Sequence, residues 1–151
     1  MNNVWPVHLG VSTPEPALTT DAGLEVVVVY TSVKQTLAAL RTAGSLANDL
    51  GARIRMVVPE IVPFPAPLDQ PLVERSFAER KFRTIAGASA VETTVNICLC
   101  REREAGVLQS VKPRSIVVLG AAKHWWRSRR ERSLARMLRS RGHQVILAES
   151  E

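Results

Sequence analysis

Basic side chains are concentrated in one part of this sequence, between Gly120 and Gly142. The segment holds Lys123 and seven arginines against a single acid, Glu131. It therefore carries a net charge of +7 in a chain whose net charge is +6, so the remaining residues sum to −1. A basic excess confined to one segment indicates an anionic partner more than a generally basic protein does.

The same segment has the order of elements that phosphate sites use. An apolar, β-branched run at residues 115–119 stops at Gly120, and a turn then leads into a basic helix predicted over residues 127–141. A strand, a glycine turn and a helix N-terminus form the usual frame of a nucleotide or phosphate site in an open α/β sheet. The sequence therefore places its candidate site at Gly120 and the residues that follow it.

Three interpretations of the basic segment fit the sequence. The arginines form a solvated face or pair with acids of a second subunit, or they bind a phosphate-bearing small molecule, or, less favoured, they bind nucleic acid or another anionic surface. For a small molecule, Lys123, the arginines and free backbone N–H groups hold the anion, and Ser128 or Ser133 adds a hydroxyl. Trp125 and Trp126 stack on a base or lie in a subunit contact, and the contact is favoured.

Other residues with reactive or ligating side chains form no recognisable catalytic pattern. Cys98 and Cys100 point to the same face of a predicted strand, where so close a pair is a poor disulfide, so reduced thiols are expected. His124 has no neighbouring Ser or Asp that suggests a triad. Paired carboxylates, metal-ligand spacings and a G-x-x-x-x-G-K-[ST] loop are not found in the sequence. We therefore expect a binding protein that is not an enzyme and uses no metal.

The elements that position these residues alternate between strand and helix. Strands are predicted at residues 24–30, 52–58, 92–101, 115–119 and 144–148, and helices at 35–50, 70–86, 102–111 and 127–141. Pro59 is expected to end the second strand, and the alternating third strand is expected near a sheet edge. The pattern predicts an α/β fold, a five-stranded parallel sheet with helices on both faces.

The chain length of 151 residues fits one domain. Residues 1–24 are rich in Pro, Thr and Asn and show no period, so they are predicted to be an arm that packs loosely or crosses to a partner. The folded domain is predicted at residues 25–151. No apolar run reaches the ~18 residues of a membrane-spanning helix, and the first residues do not read as a signal peptide, so the expected location is the cytoplasm.

Several segments resemble the universal stress protein family over residues 25–149. They are the first strand with Thr31 and Ser32 after it, the helix exit at 47–52, the fourth strand with Gly120, and the closing strand at 145–147. The resemblance implies an adenine-nucleotide-binding α/β fold with strand order 3-2-1-4-5, and a homodimer formed through the last strand. The implied role is regulatory binding, in the stress response, rather than catalysis.

The nucleotide site that this resemblance implies is degenerate. The family's aspartate at the end of strand one corresponds to Thr31, and of its three glycines after strand four only Gly120 is kept, because Lys123 and Ser133 occupy the other two places. Side chains there crowd the path of phosphates, which argues against standard ATP binding. ATP or AMP is the candidate nucleotide, and the candidate cofactor-binding residues are Thr31, Ser32, Val57, Gly120, Lys123, Arg127, Arg130 and Ser133.

Overall fold

A computed structural model describes residues 5–9, 24–64 and 75–150, leaving out the side chains of residues 5–9, 75, 76, 125 and 127. Six strands form one sheet: β1 (Trp5–Leu9), β2 (Glu25–Val29), β3 (Arg53–Ile61), β4 (Thr93–Cys100), β5 (Ile116–Ala122) and β6 (Gln144–Ser150). Their order is β1-β4-β3-β2-β5-β6, and β2 to β6 pair in parallel. The predicted α/β class and the order 3-2-1-4-5 of the five parallel strands are confirmed.

Four helices cover the two faces of this sheet. They are α1 (Val33–Leu50), α2 (Arg75–Ala86), α3 (Arg103–Ser110) and α4 (Arg129–Ser140), with a 3₁₀ turn, Trp125–Ser128, before α4. The first part of the predicted helix 70–86 lies outside the described residues. Among those described, no helix combines the length and the apolar character needed to cross a membrane.

The core has two halves because β2 is buried on both sides. Val26 and Val28 pack with α1 and α2, whereas Val27 and Val29 pack with α3 and α4, and all four are fully buried. An uninterrupted β-branched run predicts this environment, since both faces of a central parallel strand are covered. Strand β2 therefore lies at the centre of the fold, and its carboxyl end reaches the candidate site.

Residues 5–9 of the predicted arm belong to the sheet. Strand β1 pairs antiparallel with β4, from Trp5 opposite Leu99 to Leu9 opposite Val95. The interpretation of this part of residues 1–24 as a loosely packed tail is therefore wrong, and the sheet has a sixth strand. Trp5, Val7 and Leu9 alternate with Pro6 and His8, which is the period of a strand, and this short run pairs with the edge of β4 that the parallel strands leave open.

Strand β4 is not at the sheet edge that its alternating sequence predicts. Its second set of side chains, Asn96, Cys98 and Cys100, is buried as fully as the first. Strand β1 covers the outer side of β4, and α3 packs over the face on which these three residues lie. Cysteine and asparagine look polar in the sequence, but they are small enough to lie beneath a helix.

Strand β3 continues past Pro59 to Ile61, so the prediction that Pro59 ends it is wrong. Backbone N–H groups alternate in direction along β3: Ile54 and Val62 donate to the β4 side, and Arg53 donates to the β2 side. The nitrogen of Pro59 faces the β2 side, as that of Arg53 does. The last pair between the two strands is Val29 opposite Val57, so β2 has ended before Pro59 is reached. A proline there removes no hydrogen bond of the sheet.

Strand β5 also extends further than predicted, because it passes through Gly120 to Ala122. Gly120 pairs with Ala148 of β6 and is a strand residue, not the first residue of a turn. A Cβ atom at this position would overlap the backbone carbonyl of Gln35 and lie 2.8 Å from the Gln35 Cβ. Glycine is needed here because the first turn of α1 crosses directly over β5.

Candidate functional site

The candidate site lies where the chain connections diverge, at the carboxyl ends of β2 and β5. From β2 the chain passes through α1 to β3 on one side, and from β5 it passes through α4 to β6 on the other. Ligands of open α/β sheets bind in the crevice that such a divergence creates. A cavity of about 400 Å³ lies there, lined by Ser32, Lys34, Gln35, Ala122, Lys123, His124 and Ser150. This volume falls within the ~300–1,000 Å³ of small-molecule sites.

The N-terminus of α1 opens into this cavity. Ser32 is the N-cap, with extended backbone (φ −141°), and its Oγ accepts a hydrogen bond of 3.3 Å from the Gln35 N–H. Its carbonyl accepts from Thr36, so the helical ladder begins there. The N–H groups of Val33 and Lys34 have no carbonyl acceptor within the helix. The first turn contains no acid, so the positive end of the helix dipole is not compensated by its own residues.

Two lysines add formal charge at the same place. Lys34 on α1 and Lys123 after β5 are both exposed and both line the cavity. Neither Asp nor Glu is among the described lining residues. The Ser150 hydroxyl, at the end of β6, donates to the carbonyl of Ala121 at 3.3 Å. The cavity is therefore suited to an anion, with ammonium groups and backbone N–H groups as donors.

Thr31 connects β2 to the helix cap. Its N–H donates to Thr36 Oγ1 at 3.1 Å, which fixes the connection against the first turn of α1. Its own hydroxyl oxygen is buried and, within the described part of the chain, has no hydrogen-bond partner. An unsatisfied buried hydroxyl is uncommon in folded proteins.

Only some of the predicted site residues line the cavity. Ser32 and Lys123 line the cavity, and Gly120 lies beneath the α1 turn that borders it. Val57 is fully buried in the core on the α3/α4 face. Arg130 and Ser133 are exposed on α4, and neither is among the cavity-lining residues.

The 3₁₀ turn before α4 does not offer the hydroxyl that the sequence suggested. Ser128 is fully buried, and its Oγ donates to the carbonyl of Ala122 at 2.9 Å. Arg127 belongs to the same turn, and its side chain lies outside the described set. The turn therefore anchors the start of α4 to the end of β5.

Sequence reasoning missed Lys34, Gln35 and Ser150. A usable signal was present for the first two, because Ser32 and Gln35 have the S-x-x-Q spacing of a capping box. That spacing places the helix start at Val33, two residues before the predicted start at Gln35. Lys34 then falls in the first turn, where its charge reaches the cavity.

A second, smaller cavity of about 170 Å³ lies at the same edge, between the ends of β2 and β3 and helix α2. It is lined by Tyr30, Val58, Pro59, Glu60, Phe77, Ala78, Lys81 and Phe82. The rings of Tyr30 and Phe82 meet edge to face at 5.0 Å, and Lys81 Nζ lies 5.7 Å and 5.4 Å from their centres. Burial raises the pKa of Glu60. This aromatic cavity is a surface on which a flat ring can pack.

Neither cysteine is among the residues that line the two cavities. The Cys98 thiol donates to the carbonyl of Gly106 and the Cys100 thiol to that of Glu60, at 3.5 Å and 3.8 Å. The neighbouring Cys98 and burial raise the pKa of Cys100. Both thiols are free and packed beneath α3. In the described portion of the chain, no group of three or more His, Cys, Asp or Glu side chains is arranged to hold a metal ion.

Comparison with known proteins identifies the fold. No protein-family model matches the sequence, and no curated protein matches it either. Several solved structures are similar to this chain, and three of them are universal stress proteins. A universal stress protein in complex with cAMP has a TM-score of 0.54 and 16% identity, over 87% of this chain and 100% of that one.

The other two structures give the same result. A universal stress family protein from Burkholderia pseudomallei has a TM-score of 0.56 and 20% identity, over 87% of this chain and 98% of that one. A universal stress protein from Archaeoglobus fulgidus has a TM-score of 0.55 and 12% identity, over 83% and 93%. The chain therefore has the fold of universal stress proteins, as its segments suggested.

Proposed function

We propose that this protein is a regulatory binding module of the universal stress type that takes an adenine nucleotide at the carboxyl edge of its sheet. The observation that carries the proposal is the cavity of about 400 Å³ bordered by Lys34, Lys123 and the uncompensated N-terminus of α1. The similar structure with bound cAMP supports a nucleotide as the ligand class.

The phosphate is proposed to lie toward α1. Side chains replace two of the family's three glycines after β5, and Gly120 is covered by the Gln35 backbone, so this region does not offer a phosphate-wrapping loop. Lys34, Lys123 and the first-turn N–H groups offer an alternative set of donors. A single phosphate, as in AMP or cAMP, requires fewer donors than the triphosphate of ATP, and we therefore propose a mononucleotide as the preferred ligand.

Binding without turnover is proposed because Ser150 and His124, a hydroxyl and an imidazole that line the cavity, make other contacts. The Ser150 hydroxyl donates to Ala121, and the His124 ring stacks on Trp126 at 4.7 Å. A nucleophile activated by a neighbouring base is the arrangement that group transfer requires. Among the described contacts, none joins the Ser150 hydroxyl to the His124 ring as nucleophile and base.

A homodimer through β6 is part of the proposal. This strand is at one end of the sheet and pairs with β5 alone among the described strands. Its Ile146 side chain is exposed, while Val145 and Leu147 are only partly buried. Pairing of two copies along this edge would cover these side chains, and light scattering of the purified chain measures the resulting mass directly.

The test is calorimetric titration of AMP, cAMP and ATP into the purified protein. Lys34→Gln/Lys123→Gln removes two charges from the cavity, whereas Arg41→Gln/Lys112→Gln removes two exposed charges elsewhere. We expect the cavity variant to bind the preferred nucleotide at least about tenfold more weakly, since charged hydrogen bonds contribute roughly 1.5–3 kcal/mol each. The control variant is expected to bind as the unchanged protein does. Equal affinities in all three proteins, or no heat with any nucleotide, would overturn the proposal.

A further inference from the structure

The outward surface of α4 carries only positive charge. Its five arginines, Arg129, Arg130, Arg132, Arg136 and Arg139, are all exposed, whereas its one acid, Glu131, is 7% exposed and points into the fold. Ion pairs between described residues occur at Arg53 and Arg55 and do not involve α4. The charge on this face is thus directed at the surroundings of the molecule, except that Arg139 also donates from its Nη2 to the carbonyl of Val145 at 2.9 Å.

Four of these arginines lie on one line along the helix. Arg129, Arg132, Arg136 and Arg139 are three or four residues apart, so they share a face. At a rise of 1.5 Å per residue, successive members are about 4.5–6 Å apart along the axis and the row is about 15 Å long. We name this row the arginine stripe. A regular row of guanidinium groups at this spacing suits a chain of phosphates, each of which can accept a bidentate pair of hydrogen bonds.

An aromatic pair lies just before the stripe. The rings of His124 and Trp126 are stacked, with centres 4.7 Å apart and planes at 17°, and Trp126 remains 55% exposed. The 3₁₀ turn that contains Trp126 leads directly into Arg129. Aromatic side chains beside a basic groove are the platform on which the bases of single strands stack.

We propose that the arginine stripe and the His124–Trp126 pair form a binding surface for single-stranded nucleic acid. Duplexes are disfavoured, because their bases are already stacked on one another. An anionic membrane is disfavoured because the exposed positions of α4 carry no large apolar side chain to enter the headgroup layer, and Leu134 and Leu138 face the core. An acidic peptide would pair with the arginines but would leave the stacked rings without a role.

The stripe is separate from the nucleotide cavity. None of its four arginines lines that cavity, although His124 belongs to both. The proposal therefore does not depend on the nucleotide function, and variants in the stripe and in the cavity distinguish the two.

The experiment measures fluorescence anisotropy of a labelled oligothymidylate of about 20 nucleotides as salt is raised. Arg132→Gln/Arg136→Gln removes two stripe charges, and Arg41→Gln/Arg83→Gln removes two exposed arginines from α1 and α2 on the opposite face. We expect the stripe variant to reduce the slope of log affinity against log salt by about 1.4, at roughly 0.7 per phosphate contact on a single strand. The control is expected to keep the slope of the unchanged protein.

A second arm tests stacking. An abasic oligonucleotide of equal length has the same phosphates but no bases, and we expect it to bind at least about fivefold more weakly, with the difference lost in Trp126→Ala. Equal slopes in both arginine variants, equal binding of the abasic strand, tighter binding to duplex, or binding only to vesicles with anionic lipid would each overturn the proposal. The Lys34→Gln/Lys123→Gln variant is expected to retain at least half of the affinity for the oligothymidylate.

Discussion

Helices α1 and α4, which follow β2 and β5, differ in how the positive ends of their dipoles are compensated. Helix α1 begins at a serine cap, has no acid in its first turn and opens onto a cavity. Helix α4 begins without a side-chain cap, but Glu131 in its first turn is buried beneath it. A carboxylate in the first turn compensates the helix dipole. The end that needs an outside anion is therefore that of α1, although α4 carries more arginines.

This difference shows that a count of basic residues is a poor guide to where an anion binds. None of the α4 arginines lines the cavity, while the two lysines that do lie on different elements, α1 and the turn after β5. What decides the site is the direction of each side chain and whether the helix end is already neutralised. Both depend on tertiary structure.

The largest expected effect follows from the crossing that places α1 over β5. Gly120→Ala should lower the free energy of unfolding by about 3 kcal/mol or more, because its Cβ would overlap the Gln35 backbone and cannot be relieved by a side-chain rotation. Urea denaturation measures the loss. A displaced α1 should also weaken nucleotide binding.

Gly44→Ala is the matched control for that substitution. Its Cβ would lie 3.5 Å from the Ser89 hydroxyl, an ordinary contact, within helix α1. We expect it to be neutral or to stabilise by up to about 1 kcal/mol, as alanine does in helices. If Gly120→Ala were as stable as Gly44→Ala, the close crossing would be disproved, and with it the position of the α1 N-terminus.

The sequence was informative about this fold where the pattern was long and local. The continuous run of β2 predicted a central strand, and the predicted end of the first helix at residue 50 is confirmed, because Gly51 follows it with a left-handed φ of 64°. The predictions that strands end at Pro59 and at Gly120 were wrong, although proline and glycine usually end strands. At both positions the neighbouring chain, β2 ending early and α1 crossing, decides the outcome. Such information is non-local and is not carried by the residue itself.

An intermediate effect is expected from the acid beneath α4. Burial lowers the pKa of Arg103 on α3, and the charge of Glu131 partly opposes that shift. Glu131→Gln removes this support and the compensation of the α4 dipole, so we expect a loss of about 1–2 kcal/mol in urea denaturation. Glu149→Gln, an exposed acid on β6, is the control and should change stability by less than about 0.5 kcal/mol. Equal losses in the two variants would show that the end of α4 is not compensated internally.

The smallest change in stability, and the sharpest test of the comparison, comes from Ser32. Aspartate caps helices as well as serine does, so Ser32→Asp should leave stability within about 0.5 kcal/mol while placing a carboxylate at the α1 N-terminus. That charge should compete with the ligand for Lys34 and Lys123, and calorimetry should show nucleotide affinity at least about tenfold lower. Ser32→Ala should lower stability by about 1 kcal/mol, because the helix cap is lost. Its nucleotide affinity should stay unchanged, because no charge is added to the cavity. Stability and affinity should thus separate between the two variants, and an affinity that simply followed stability would mean that the open end of α1 holds no anion.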